Sequence, residues 1–218
     1  MKVLAILIFL VSNMASAQTI STSLPQKIKK SGRYLFSLHG GVVTGRGDMA
    51  VNEGAPEWGL YEYNNILDSL IKRGFIVISE VREKDVADSF YVHKIAKQIG
   101  RLMKAGVRPE KILVLGTSAG WDIGIRVAAV VKKKNIKYVM MGGCWPETYK
   151  DFLNVELQGH FLSIIESSDP HGTCTAIFEN RKNIKSFKEI KLNTGLSHGF
   201  IYKAYKEWID LVAEWFGK

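Results

Sequence analysis

The segment Gly116-Thr117-Ser118-Ala119-Gly120 contains the residue types that nucleophilic catalysis by serine requires. It follows a short apolar run at residues 112–115 and precedes a helical pattern, so it is a G-x-S-x-G sequence at a strand-to-helix turn. A sharp turn lifts the Ser118 hydroxyl clear of the sheet, and the flanking glycines avoid backbone clashes. The Ala119 N–H would lie at the helix start, where it can stabilise an oxyanion. Ser118 is therefore the predicted nucleophile.

A serine nucleophile needs a base and an acid that orients the base, and candidates for both follow apolar runs. His198 comes after the run at residues 190–192, and Asp169 comes after the run at residues 161–165. Glu166 is the second candidate for the acid. The chain order of serine, acid and histidine is one of the orders in which such triads occur.

The second oxyanion donor is expected in the glycine-rich turn after the run at residues 34–38. Gly41 is the preferred donor and Gly40 the next, because a glycine turn lets backbone N–H groups approach a tetrahedral intermediate. His39, which precedes them, is interpreted as a side chain that braces this loop.

The elements that must position these residues alternate between strand and helix signals. Apolar runs without polar alternation suit parallel strands buried on both faces, and helical periodicity separates them. The predicted strands are residues 34–38, 75–79, 112–115, 138–141, 161–165 and 190–192, and the predicted helices are residues 60–72, 91–105, 121–132 and 204–216. We therefore predict an α/β fold with a doubly wound, mostly parallel sheet of about six strands. The ligand site of such a sheet lies at the carboxyl ends of its strands.

The chain resembles the α/β-hydrolase superfamily from about residue 33 to its end. The motifs that carry the resemblance are HGG at 39–41, GTSAG at 116–120, SSDP at 167–170 and LSHGF at 196–200. In particular it is similar to short bacterial hydrolases that share the stretches YEYNNIL, VISEVR and GVRPEKILVLG. The resemblance implies an acyl-enzyme hydrolase with Ser118 as nucleophile, His198 as base and Asp169 as its partner.

Two departures from the family pattern matter. Residues 18–33 leave no room for the first two strands of the full eight-stranded fold, so a minimal version is expected. Trp121 stands after the elbow where many relatives carry a second glycine, and it is expected either to narrow the pocket or to alter helix packing. Trp121 and Trp145 are the predicted substrate-binding residues.

The N-terminus has the three parts of a secretory signal. Lys2 precedes an apolar run at residues 3–11, and Ala15-Ser16-Ala17 forms an A-x-A ending, so residues 1–17 are the predicted signal peptide. Residues 18–218 are then a single domain, secreted or periplasmic, without a stable membrane anchor. Because exported proteins meet oxidising conditions, Cys144 and Cys174 could form a disulfide that clamps the Asp169 loop, with two free thiols as the alternative.

The net charge of +9 first suggests a nucleic-acid partner, but the positions of the charges argue against it. The basic clusters at residues 27–30, 132–137 and 181–191 precede strands, which places them opposite the catalytic loops, whereas the loops after strands are acidic. We expect no nucleic-acid partner and a small acyl substrate that is neutral or cationic.

Two other kinds of site have weaker support in the sequence. Residues 45–50 match the G-x-G-x-x-A pattern of a dinucleotide-binding turn, but six residues separate them from the preceding strand. The five histidines show no metal-ligand spacing, so neither a metal nor another cofactor is expected. The predicted function is an exported serine hydrolase for carboxylic esters or related acyl bonds. The alternatives are a non-catalytic binding protein with the same fold and a nucleotide-binding oxidoreductase.

Overall fold

The computed structural model describes residues 20–145, 147 and 149–217. The predicted signal peptide, residues 1–17, lies outside the described residues and stays a prediction, as does the assignment of residues 18–218 to one domain. No helix in the described part of the chain is long and apolar enough to cross a membrane.

The centre of the molecule is one sheet of six strands that all run parallel. Its strands are β1 Tyr34–Leu38, β2 Ile76–Ile78, β3 Ile112–Thr117, β4 Lys137–Met141, β5 Gly159–Glu166 and β6 Ile184–Leu192. They are ordered β2-β1-β3-β4-β5-β6, so the winding direction reverses between β1 and β3. This reversal creates a crevice at the carboxyl ends of β1 and β3, where ligands of doubly wound sheets bind. The predicted fold class is confirmed.

Helices cover both faces of the sheet, because its central strands are apolar on both sides. The helices are α1 Tyr63–Lys72, α2 Asp88–Lys104, α3 Ala119–Val131, α4 Tyr149–Phe152, α5 Thr175–Phe178 and α6 Lys206–Gly217. Helices α2 and α3 pack on the face that carries Tyr34, Phe36 and Tyr138. Helices α1 and α6 pack on the opposite face with Leu35 and Val139. Two separate apolar layers, one on each face, thus hold the sheet in place, and the crevice lies at the carboxyl ends of its strands.

Strand β6 is longer than the sequence predicted, since it begins at Ile184 instead of residue 190. As an edge strand it carries an exposed lysine at every third position with partly buried residues between them, so it lacks the continuous apolar run of a central strand. Lys185, Lys188 and Lys191 therefore lie along β6 with exposed side chains. The prediction that the basic cluster at residues 181–191 precedes its strand was wrong for these three lysines, whereas Arg181 and Lys182 do lie before β6.

Candidate active site

Ser118 lies on the sharp turn between β3 and α3, at the end of the sheet that the sequence predicted. Its backbone has φ 49° and ψ −123°, a conformation that is strained for a residue with a side chain and typical of a nucleophile elbow. The flanking glycines make this turn sterically possible. A Cβ on Gly120 would lie 2.1 Å from the Leu38 carbonyl oxygen, and a Cβ on Gly116 would lie 2.6 Å from the Gly120 carbonyl oxygen. Only glycine fits at either position.

The structure brings Ser118, His198 and Asp169 into one hydrogen-bonded chain. His198 Nε2 lies 3.1 Å from Ser118 Oγ, and His198 Nδ1 lies 2.8 Å from Asp169 Oδ2. When Nδ1 donates to the carboxylate, Nε2 is free to accept the serine proton, which is the tautomer that a general base needs. Gly142, at φ +55°, leaves room for the imidazole, since a Cβ there would lie 3.0 Å from His198 Cε1.

Asp169 is buried and stays ionised because of the groups around it. Burial alone would raise its pKa, but hydrogen bonds and the nearby charge of His198, together with bonds from His171, lower the pKa below its usual value. Its side chain is only 3% exposed. The carboxylate is therefore available to orient His198 and to stabilise it as an imidazolium.

Glu166, the second candidate for the acid, has a different position. It is 2% exposed and accepts hydrogen bonds from groups on two loops. The donors are the hydroxyls of Ser167, Ser168 and Thr194 and the backbone N–H groups of Ser168, Thr194 and Gly195. Burial would raise its pKa, but these bonds outweigh it and lower the pKa to about 2.

Glu166 thereby joins the loop after β5, which carries Asp169, to the loop after β6, which carries His198. Ser168 extends the connection, since its hydroxyl accepts a bond of 3.0 Å from the Ser197 N–H, next to His198. Glu166 is a positioning residue in this structure, and Asp169 is the acid that contacts the imidazole.

A second imidazole, which no sequence motif indicated, contacts the same acid. His171 Nδ1 hydrogen-bonds Asp169 Oδ1, and the His171 N–H donates to the same oxygen at 3.1 Å. The ring centroids of His171 and His198 are 4.5 Å apart. The available signal was the D-x-H spacing after β5, because an aspartate side chain often accepts a hydrogen bond from the backbone N–H two residues on, which brings that residue close to the carboxylate.

The candidate oxyanion donors lie beside Ser118. Gly40, Gly41 and Ala119 line the same cleft as Ser118, and a Cβ on Gly41 would lie only 3.5 Å from Ala119 Cβ. The backbones of the glycine turn and of the elbow therefore approach closely around Ser118, as an oxyanion hole requires.

His39 braces the glycine turn, as expected from its place in the sequence. Its Nε2 accepts a 3.0 Å bond from the Arg82 N–H, so Nδ1 carries the proton and donates to the Gly40 carbonyl oxygen at 2.8 Å. Burial, assisted by the positive charge of Arg82, lowers the pKa of His39 to about 3. The ring is thus neutral at physiological pH and fixed at both nitrogens.

The cleft over Ser118 has a volume of about 380 Å³ and aromatic walls. Trp145, one of the two predicted substrate-binding residues, lines it together with Trp58 and Tyr202. Trp58 contacts His198 with ring centroids 5.8 Å apart, and Trp145 contacts His171 at 4.9 Å. The two indoles therefore flank the histidine pair.

Trp121 is placed elsewhere, and the expectation that it narrows the pocket requires correction. It is 1% exposed, and its ring packs edge-on against Phe152 and near Phe178 in the core. A Cβ on Gly143 would lie 2.3 Å from the Trp121 side chain, so the glycine makes room for it. The turn of α3 directs this side chain away from the cleft and under the loop after β4.

The two cysteines form a disulfide, which is one of the two alternatives that the sequence left open. Cys144 follows β4, Cys174 precedes α5, and their Cα atoms are 5.2 Å apart. The bridge connects the loop that carries Trp145 with the loop that carries Asp169 and His171, so it restrains the acid side of the site.

Residues 45–50, which match a dinucleotide-binding pattern, do not form a strand-to-helix turn. Gly47–Met49 is a single 3-10 turn, and the next α-helix, α1, begins only at Tyr63. The glycine-rich turn that cradles a pyrophosphate at a helix start is therefore not formed at these residues.

No family model and no curated protein sequence matches the chain. Solved structures are nevertheless similar to it over most of their length. A putative alpha/beta hydrolase of unknown function from Agrobacterium tumefaciens aligns with a TM-score of 0.59 and 16% identity, covering 87% of this chain and 86% of that one. An esterase from Rhizomucor miehei aligns at 0.56 and 14%, covering 84% and 73%. A hormone-sensitive lipase from a metagenome library aligns at 0.58 and 13%, covering 84% and 75%. Together with the parallel sheet and the elbow between β3 and α3, this likeness shows that the chain has the α/β-hydrolase fold.

Proposed function

We propose that this protein is an exported serine hydrolase that cleaves carboxylic esters through an acyl-enzyme intermediate. The observation that carries the proposal is the hydrogen-bonded chain from Ser118 Oγ through His198 to Asp169, at 3.1 Å and 2.8 Å. A strained serine at an elbow, a base within reach and a buried acid behind the base together form the arrangement that activates a hydroxyl.

In the first half of the reaction, Ser118 Oγ attacks the acyl carbon while His198 Nε2 takes the hydroxyl proton. The carbonyl π electrons move to oxygen, and the Ala119 N–H with the Gly41 or Gly40 N–H stabilises the resulting oxyanion. The oxyanion then collapses, the ester C–O bond breaks, and His198 returns the proton to the leaving alcohol. Asp169 stabilises the transient imidazolium without taking a proton itself.

In the second half, water takes the place of the alcohol. His198 removes a proton from water, hydroxide attacks the acyl carbon, and the proton passes to Ser118 Oγ as the serine ester bond breaks. The carboxylic acid leaves and the free hydroxyl is restored.

The cleft supports a small, uncharged or cationic acyl substrate. Its volume of about 380 Å³ lies near the lower end of small-molecule sites. The described residues that line it include neither lysine nor arginine, and its walls are formed by Trp58, Trp145 and Tyr202. Aromatic faces favour apolar groups and attract cations, whereas an anion would find no cationic side chain in this lining.

The proposal is tested with p-nitrophenyl acetate and a series of longer p-nitrophenyl esters. We expect wild type to hydrolyse at least one of them, and Ser118→Ala to lose about 10⁴-fold or more in kcat. Ser89→Ala, which removes an exposed hydroxyl on α2, is the matched control and should retain wild-type rates. Absence of hydrolysis by folded wild type across the series would favour the non-catalytic binding protein.

Export is proposed from residues 1–17 and is tested separately. Expression of the full chain in a bacterial host should yield a periplasmic or extracellular protein whose N-terminus is near Gln18. Recovery of the uncleaved chain from the cytoplasm would contradict export without affecting the catalytic proposal.

A further inference from the structure

Asp169, His171 and His198 form a cluster of three metal-type ligands inside the cleft. One ligand atom of each lies within 4.8 Å of the others. The Nδ1 atoms of both histidines face the carboxylate, one on Oδ2 and the other on Oδ1. An ordinary triad offers one imidazole on its acid, so this second imidazole is not required by the mechanism above.

We propose that these three residues bind a divalent transition metal such as Zn²⁺, and that binding switches the hydrolase off. Two imidazole nitrogens and one carboxylate oxygen are a ligand set that Zn²⁺ takes in open sites, with water in the fourth position. Bonds of about 2.0–2.2 Å place tetrahedral ligands roughly 3.3–3.6 Å apart. The 2.8 Å contact between His198 Nδ1 and Asp169 Oδ2 must therefore lengthen by about 0.5 Å or more to admit the ion, and so must the contact between His171 Nδ1 and Asp169 Oδ1.

The ion reaches this site from the cleft. The His171 side chain is 21% exposed and lines the cleft together with His198, while Asp169 lies behind them at 3%. His171 is thus the outermost ligand, and Trp145, whose ring lies against it, fixes one side of the entrance.

The switch follows from the histidine tautomers and rests on the proposed function. In the resting site His198 carries its proton on Nδ1 and accepts the Ser118 proton at Nε2. A metal binds through the lone pair of Nδ1, so Nδ1 must give up the proton that it carries in the resting site. In each neutral imidazole this proton moves through water to Nε2. His198 Nε2 then donates to Ser118 Oγ and can no longer act as its base. The metal also occupies the carboxylate that would stabilise the imidazolium.

Metal binding is measured without reference to catalysis. Co²⁺ and Zn²⁺ are titrated into wild type and into Ser118→Ala, by visible absorption for Co²⁺ and by calorimetry for Zn²⁺. We expect one ion per chain in both proteins and the strong visible bands of four-coordinate Co²⁺. His171→Asn should weaken binding by at least about tenfold, since even outer-shell changes cost that much. His93→Asn, an exposed histidine on α2, is the matched control and should bind like wild type.

The switch is measured by the rate at which a fluorophosphonate labels Ser118. Saturating Zn²⁺ should slow the labelling of wild type and of His93→Asn by about 100-fold or more, which is the lower limit of a general base's contribution. The labelling of His171→Asn should change less than threefold at the same zinc concentration. Chelation with EDTA should restore the wild-type rate.

Each outcome separates the metal site from the proposed function. No 1:1 binding to wild type and Ser118→Ala, or binding that His171→Asn leaves intact, would overturn the site. Binding that leaves the labelling of Ser118 unchanged would overturn the switch. If wild type is not labelled even without metal, the proposed function fails, and the Co²⁺ spectrum alone then decides whether the site exists.

Discussion

Replacing Glu166 with glutamine should destabilise the fold strongly, although Glu166 touches neither Ser118 nor His198. The ionised carboxylate accepts bonds from Thr194, Ser168 and neighbouring groups, and against the cost of burial these bonds lower its pKa from 4.5 to about 2. At 1.36 kcal/mol per pH unit, this difference corresponds to about 3 kcal/mol of stability at pH 7. Glutamine resembles the protonated form, and its NH₂ group would also face N–H and O–H donors.

The sign of the pH dependence follows from a depressed pKa. The carboxylate contributes fully above its unfolded value of 4.5, and the contribution is lost as the pH falls towards about 2. As the pH falls through this range, the free energy of unfolding of wild type should therefore drop by about 3 kcal/mol relative to that of Glu166→Gln. The two curves of stability against pH then converge at low pH.

Urea unfolding at several pH values, followed by tryptophan fluorescence, measures this difference. At pH 7 the midpoint temperature of Glu166→Gln should also be about 6–12 °C lower, given about 2–4 °C per kcal/mol for a chain of this size. Glu207→Gln, an exposed glutamate on α6, is the control and should stay within about 0.5 kcal/mol of wild type. A loss below about 1 kcal/mol for Glu166→Gln, or curves that stay parallel down to low pH, would refute the reasoning.

Three further predictions concern the elbow, the disulfide and the substrate charge. Gly120→Ala should lower stability by at least about 3 kcal/mol in thermal unfolding, because its Cβ would meet the Leu38 oxygen at 2.1 Å. The control Gly100→Ala, whose Cβ meets nothing within 4 Å, should stabilise by about 0.5–1 kcal/mol, and equal effects of the two variants would contradict the steric account. Removing the Cys144–Cys174 bridge, which closes a loop with a sequence separation of 30, should cost about 3–4 kcal/mol in urea unfolding, and a cost near zero would contradict its role as a clamp. Among matched esters at low salt, kcat/KM should be higher for neutral or cationic substrates than for anionic ones, and the reverse order would overturn the charge argument.

The positions of Ser118 and His198 could be predicted because their signals are local. A glycine-flanked serine between an apolar strand and a helix has few structural solutions, and the carboxyl ends of parallel strands meet at one edge. The sequence also favoured Asp169 over Glu166 as the acid, but it could not show why Glu166 is unsuited to that role. Only the folded loops show that the Glu166 carboxylate accepts hydrogen bonds from Thr194 and its neighbours.

Other features could not be predicted because they depend on contacts between distant segments. Trp121 lies three residues after Ser118 in sequence, yet the turn of α3 directs its ring into the core against Phe152. His171 and His198 are 27 positions apart, and no metal-ligand spacing links them until the two loops meet at Asp169. Strand β6 lacks the apolar run of the central strands because one of its edges faces solvent.

The central claim is that His198 and Asp169 activate Ser118 as a nucleophile, and covalent labelling tests it most directly. Folded wild type is treated with a fluorophosphonate probe, digested, and the modified residue is identified by mass spectrometry. The account predicts one adduct per chain, on Ser118, with none in Ser118→Ala and labelling slowed by about 100-fold or more in His198→Ala. Folded wild type that does not react, or that reacts at a serine other than Ser118, would contradict it.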